Sequence, residues 1–156
     1  MTQKMERIRP IRMMNMCMIE DDQGNVLVLN KVNNSYTGIT FPGGHIEKGE
    51  SYADSMIREV REETGLVIEQ PMLMGIYHWE KDEAEHIVLL YKADRYTGIL
   101  HSSEEGQVFW LPKEEFLNQK LAIGMDRVWK LMHSNELNEC HMVRRRKLYP
   151  VFVLNM

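Results

Sequence analysis

The stretch TFPGGHIEKGESYADSMIREVREETGL, residues Thr40 to Leu66, decides the fold of this chain. From Ser51 to Thr64 the apolar residues Ala53, Met56, Ile57 and Val60 recur at helical spacing, and the opposite face is heavily charged. That pattern predicts an amphipathic helix with one stripe on a core. Ser51, with Asp54 three residues on, is a capping-box-like start in which Asp replaces the preferred Glu or Gln. Gly65 stands where a helix commonly ends in a left-handed residue. Just upstream, Pro42-Gly43-Gly44 breaks regular structure and lets backbone approach a ligand closely.

On the predicted helix Glu59, Glu62 and Glu63 stand at i, i+3 and i+4, so Glu59 has both other carboxylates as surface neighbours. Glu50 lies one residue before the helix begins. Two such charges about 4 Å apart repel by roughly 4 kcal/mol at an effective dielectric of about 20, and a hard divalent cation between them removes the repulsion. Oxygen-only ligands favour Mg²⁺, Mn²⁺ or Ca²⁺ over zinc, and Mg²⁺ commonly takes a few carboxylates together with substrate phosphates. The plainer alternative is that Arg58 to Glu63 is only the solvated face of a charged helix.

Outward from this stretch, Ile11–Ile19 and Val26–Lys31 read as strands joined in a hairpin through Glu20 to Asn25. Gly38 to Phe41 reads as a short extended piece, and Met72–Trp79 with His86–Ala93 as a second hairpin. Gln107–Leu111 is a further strand stopped by Pro112, Lys113–Leu117 and Met125–Met132 look helical, and Leu148–Leu154 is either a last strand or irregular. Interleaved strands and helices with hairpin neighbours predict an α/β fold with a mixed sheet covered by helices.

The chain has 156 residues, 44% of them hydrophobic and 27% charged, which predicts one domain over residues 1–156 and excludes disordered, collagen-like and disulfide-scaffold classes. A net charge of −4 gives no global reason to coat nucleic acid or an anionic membrane, so no stable nucleic-acid binding is expected. Arg144-Arg-Arg-Lys147 is then read as a solvated basic run. Cys17 and Cys140 lie outside any C-x-x-C spacing, which argues against a zinc site and fits a reducing cytoplasm. The start shows no apolar signal-peptide core, and the longest apolar run, Met13–Ile19, is interrupted by Asn15 and far too short for a membrane helix. Strand edges leave pairing across a homodimer open.

Gly44, Glu50, Arg58-Glu59-Val60, Glu62-Glu63 and Gly65-Leu66 fit the pattern G-x5-E-x7-R-E-U-x-E-E-x-G-U at every specified position, U being a bulky aliphatic. A chance match is on the order of one in ten million at average residue frequencies. The chain therefore resembles the Nudix hydrolases. The surroundings are similar too: Thr40 to His45 resembles the family's strand-to-loop entry, and Phe109 to Phe116 its late strand and helix. The resemblance implies an α/β/α sandwich around a mixed sheet, a loop–helix–loop metal site, and hydrolysis of a nucleoside diphosphate linked to another group by water attack at phosphorus. It implies Glu59, Glu62 and Glu63 as main metal ligands, Glu50 nearby, a Gly43 or Gly44 carbonyl as backbone ligand, and Arg58 as the residue that orients the carboxylates. Mg²⁺ is the implied cofactor, with Mn²⁺ as substitute.

Glu105-Gly-Gln107 is similar to a later loop of the MutT-type branch, which makes Glu105 a candidate extra ligand or base, with Glu104 second. Lys31, before the glycine loop, is placed to meet polyphosphate charge, and His45 to donate to a phosphate. His78 and His86 read as sheet-surface residues, and Tyr77, Trp79 and Trp110 as strand packing. The MutT branch has an asparagine that reads the base just before its last helix; Met125-Asp126 stand there, and Asp126 can accept a bond from a purine. Length and the Glu105 loop favour a nucleoside triphosphate, oxidised guanine nucleotides included, cleaved to monophosphate and pyrophosphate. Asp82-Glu83-Ala84 occupy the region where ADP-ribose and dinucleoside polyphosphate branches carry a proline or a tyrosine, and Val28 to Lys31 matches the coenzyme A motif poorly. The other readings are a Nudix hydrolase of a dinucleotide, a nucleotide sugar or an RNA 5′ end, and a nucleotide sensor without turnover.

Overall fold

The computed structural model describes residues 7–33, 35–145 and 149–155, with the side chains of 33, 144, 145 and 149–152 outside the description. In chain order the elements are β1 (Ile11–Ile19), β2 (Asn25–Asn33), β3 (Tyr36–Thr40), α1 (Tyr52–Thr64), β4 (Leu66–Ile68), β5 (Met72–Lys81), β6 (Ala84–Ala93), β7 (Tyr96–Gly98) and β8 (Gly106–Pro112). A 3₁₀ helix (Lys113–Asn118), α2 (Met125–Met132), β9 (Glu139–Arg145) and β10 (Tyr149–Asn155) follow. The main sheet has the order β1-β6-β5-β9-β10; β3-β2-β8 and β4-β7 form smaller ones. The main sheet is mixed as expected, since β1 runs parallel to β6 and β5 parallel to β9, while β5–β6 and β9–β10 are antiparallel.

Strand side chains alternate between faces, and this sheet is buried on both. Met16 and Met18 of β1, and Val88 and Leu90 of β6, pack with Val128 and Leu131 of α2. Their neighbours Cys17, Ile19, Leu89 and Tyr91 pack instead with Met56 and Val60 of α1. The result is the α/β/α sandwich. Met56 and Val60 are fully buried, each contributing about 2 kcal/mol of apolar transfer, which fixes the face α1 turns outward.

One expectation is corrected. β1 and β2 are not a hairpin: apart from a single bridge at Glu20 and Val26 they belong to different sheets. The edge of β1 that β2 would have used is taken by the glycine loop, with Cys17 N–H donating to the Pro42 carbonyl and Asn15 N–H to that of Gly44. The Glu20 to Asn25 turn is held by Asp21, whose carboxylate accepts from Gln23 N–H, Asn25 N–H and the Asn25 amide. Lys113–Leu117 is helical as expected, within a 3₁₀ helix that has no side-chain cap at its Pro112 start. The second hairpin forms, with strands longer than expected around a two-residue turn at Asp82 and Glu83, both at positive φ as a type I′ turn requires. β4, β7 and β9 were not expected; the segment left open between a last strand and irregular structure is a strand, β10. No helix among the described residues is long and apolar enough to cross a membrane.

Candidate active site

α1 begins where Ser51 Oγ accepts from Asp54 N–H at 3.1 Å and ends at Gly65 in the left-handed conformation. Between these caps it presents Glu59, Glu62 and Glu63 toward the glycine loop. Gly43 has no room for a side chain, because a Cβ there would run into the backbone carbonyl of Asn15, and a Cβ on Gly44 would displace the Glu59 carboxylate. The loop runs as a short extra strand beside β1, so the carbonyls of Pro42 and Gly44 point at β1 and those between them point away. Gly43 N–H accordingly faces α1 and donates to Glu63 Oε2 at 2.9 Å. The Gly44 carbonyl, by contrast, already accepts from Asn15 N–H at 2.8 Å.

Arg58 is the hub of the carboxylates. Its Nε donates to Glu50 Oε2 at 3.0 Å and its two terminal nitrogens to Glu50 Oε1 at 2.7 Å, Glu59 Oε1 at 2.9 Å, Glu62 Oε2 at 3.2 Å and the His45 carbonyl at 3.0 Å. This fork pulls the Glu50 carboxyl down to about 2. Glu59 goes the other way: burial raises its pKa against the help of Arg58, with Glu62 adding repulsion and His45 some relief. Glu63 is 5% exposed, and burial pushes it up to about 7 despite the Gly43 amide and Lys31, with Glu59 and Glu105 opposing ionisation.

Lys31 Nζ lies 3.3 Å from Glu105 Oε2, at the end of the register in which β2 pairs with β8. The loop bearing Glu105 is tied to the end of α1 by His101 N–H donating to the Thr64 carbonyl, and shaped by Ser103 Oγ accepting from Glu105 N–H. Glu50, Arg58, Glu59, Glu62, Glu63, Gly43, Gly44, His45, Lys31 and Glu105 are thus gathered in one place. Asp126 is not among them: it stands in the first turn of α2, beside Arg127, with its charge felt by Tyr77 and Cys140 on the opposite face. His78 bridges Glu85 and Glu139, each at 2.8 Å, and Tyr77 is buried, in keeping with structural roles. The side chains of Arg144 and Arg145, and Arg146 and Lys147 altogether, lie outside the described residues. Asn15, which bonds Gly44 and Ser55, was missed, although a polar residue inside an apolar run was its visible signal.

Among the described residues no three His, Cys, Asp or Glu side chains converge on one point as a closed metal centre would require. The donor set fits a more open arrangement: all oxygens, a carboxylate seated over a glycine, and a second carboxylate buried with less positive charge than it needs. Hard cations such as Mg²⁺ are held in this way, by one or two carboxylates with waters and substrate phosphates completing the shell.

The NUDIX domain family matches residues 12–132, which include every residue of this site. The chain belongs to the Nudix family. It is 35% identical over 126 residues to an uncharacterised Nudix hydrolase of Bacillus subtilis, covering 77% of this chain and 78% of that one. An ADP-ribose pyrophosphatase of Methanocaldococcus jannaschii is 31% identical over 121 residues, 72% of this chain and 70% of the relative. A crystal structure of a MutT protein from Bacillus halodurans superimposes with a TM-score of 0.75 at 27% identity, over 92% of this chain and 97% of that one. The chain is a MutT-like Nudix hydrolase, a family that uses divalent cations and acts on small nucleotides.

Proposed function

We propose that this Nudix hydrolase is Mg²⁺-dependent and cleaves a nucleoside triphosphate to monophosphate and pyrophosphate by water attack at phosphorus. The observation that carries this reading is the gathering of Glu59, Glu63, Glu105 and Lys31 around the Gly43–Gly44 turn. Glu59 and Glu63 would hold the cation at the Gly43–Gly44 turn, Glu62 would join them on leaving its pair with Arg58, and Glu50 and Arg58 would keep the set in place. The Gly43 carbonyl is the better backbone ligand, because its amide already faces α1 whereas the Gly44 carbonyl is taken by β1. When bound, the cation would lower the pKa of a water and neutralise charge on the leaving oxygens.

The remaining work falls to the chain. Lys31 meets the polyphosphate with its ammonium, exchanging Glu105 for phosphate oxygens. Glu105, released from that pair, accepts the proton of the attacking water as the new P–O bond forms and the pyrophosphate oxygen departs. His45 donates to a phosphate. Oxidised guanine nucleotides fall within this substrate class.

The Methanocaldococcus relative gives a second reading, hydrolysis of ADP-ribose. Phosphate and pyrophosphate release with Mg²⁺ would be measured on normal and oxidised triphosphates, ADP-ribose, a nucleotide sugar and a dinucleoside polyphosphate, beside a Glu59→Gln control. Pyrophosphate from triphosphates, reduced at least about 100-fold in the control, is expected. Turnover of ADP-ribose to two monophosphates without pyrophosphate would establish the second reading, and tight binding without turnover would sink both. Relative kcat/KM then names the base.

A further inference from the structure

Asn15 sits in the middle of β1 at 3% exposure, on the same face as Cys17 and Ile19, pointing toward α1. A side-chain amide in such a layer costs about 1–3 kcal/mol unless its groups are paired. Both ends are paired, and to two different parts of the site. Oδ1 accepts from Gly44 N–H at 3.0 Å, and Nδ2 donates to Ser55 Oγ of α1 at 3.0 Å. The orientation is not interchangeable: a backbone N–H can only donate, so the oxygen must face Gly44 and the nitrogen must face Ser55.

Ser55 is fully buried on α1, so the amide of Asn15 gives its hydroxyl oxygen a partner inside the layer. A line of donors therefore runs from Gly44 N–H through the Asn15 amide to Ser55 in the first turns of α1, the helix that carries Arg58 and the carboxylates. The glycine turn and the carboxylate helix are separate pieces of chain; Glu63 and Arg58 reach across from the helix itself, and Asn15 ties the two together from β1, a third element.

We propose that Asn15 is a positioning residue for cation binding, setting the spacing between the Gly43–Gly44 turn and the carboxylates of α1 through its bonds to Gly44 and Ser55. The proposal rests on the preceding reading, in which those carboxylates and the Gly43 carbonyl take the cation. Outer partners of metal ligands typically matter by about 10–100-fold in affinity or activity. A purely structural amide would cost stability and leave cation affinity alone.

The test compares Asn15→Ala with Val128→Ala, a fully buried α2 residue packed on the opposite face. Mn²⁺ binding is followed by electron paramagnetic resonance on the protein without nucleotide, next to Tm and the Mg²⁺ dependence of turnover. Both variants are expected to lose Tm; Asn15→Ala should weaken Mn²⁺ about tenfold, and Val128→Ala should stay within about twofold of the parent. Equal Mn²⁺ affinity in the two variants overturns the proposal. Should Asn15→Ala not fold, Ser55→Ala keeps the Gly44 bond and cuts only the tie to α1; weaker Mn²⁺ binding there supports the proposal and unchanged binding overturns it. A parent protein that binds no Mn²⁺ would overturn the preceding reading and this one together, whereas parent binding with unshifted variants overturns this one alone.

Discussion

Two groups of glutamates and cations lie on this fold, and they are balanced differently. Beyond the end of β1, Glu20 has Lys113 at 2.7 Å and Lys92 at 3.2 Å, two cations for one carboxylate. Burial opposes its ionisation, yet the Lys113 hydrogen bond and the Lys92 charge bring its pKa below the ordinary value. On α1 one guanidinium serves Glu50, Glu59 and Glu62, and Lys31 is shared between Glu105 and the field of Glu63. There only Glu50 goes down, while Glu59 and Glu63 go up. The first group balances its own charge, although Glu20 Oε1 meets Lys92 as an ion pair without a hydrogen bond. The second carries surplus negative charge in a partly buried place, which folding alone would select against and which a bound cation relieves.

Arg58 offers the largest effect by which to break this comparison. Arg58→Lys keeps the charge and loses the fork that reaches four residues at once, so kcat is expected to fall about 10–100-fold with the fold intact by circular dichroism. A loss below about twofold would mean that charge alone organises the carboxylates. Glu63→Gln comes next and has a stability readout of opposite sign. An acid raised to about 7 holds its proton longer in the folded state, so the metal-free protein loses stability as pH rises from the unfolded value toward 7. Replacing it with Gln should stabilise the metal-free protein at pH 8 by on the order of 2 kcal/mol, measured by urea unfolding. A destabilised variant would show that the Glu63 bond to Gly43 outweighs the cost of the buried charge.

How far these two groups were legible in the sequence differs for a physical reason. Everything from Thr40 to Leu66 answers to local rules: the cap at Ser51, the stripe of Met56 and Val60, the left-handed Gly65, the carboxylates at one-turn spacing. Those rules act over a few residues, and the reading survived contact with the fold. The pairing of β1 did not, because it is settled by β6, far away in sequence, and by the glycine loop on the other edge. β4 and β7 have three residues each, too few for a periodicity to show. Lys31 and Glu105 were singled out by position and by resemblance; that they touch is a consequence of the β2–β8 register. Asn15 was visible only as an interruption of an apolar run, because its meaning depends on Gly44 and Ser55 arriving opposite it. His78 likewise takes its second partner, Glu139, from an unexpected strand.

The smallest expected effect tests the balanced group. Glu20 has a depressed folded-state pKa, so it adds stability above its unfolded value of 4.5 and loses that contribution as pH falls through the folded value. Glu20→Gln should therefore cost about 1 kcal/mol at pH 7 and leave turnover untouched, with the gap from the parent closing as the solution is acidified below 4.5. Denaturant unfolding of both proteins from pH 7 to pH 3 measures it. A gap that stays constant with pH would assign Glu20 a packing role, because an uncharged contribution cannot titrate. The contrast between the two groups would then rest on α1 alone, and surplus charge there could no longer be read against a balanced standard within the same fold.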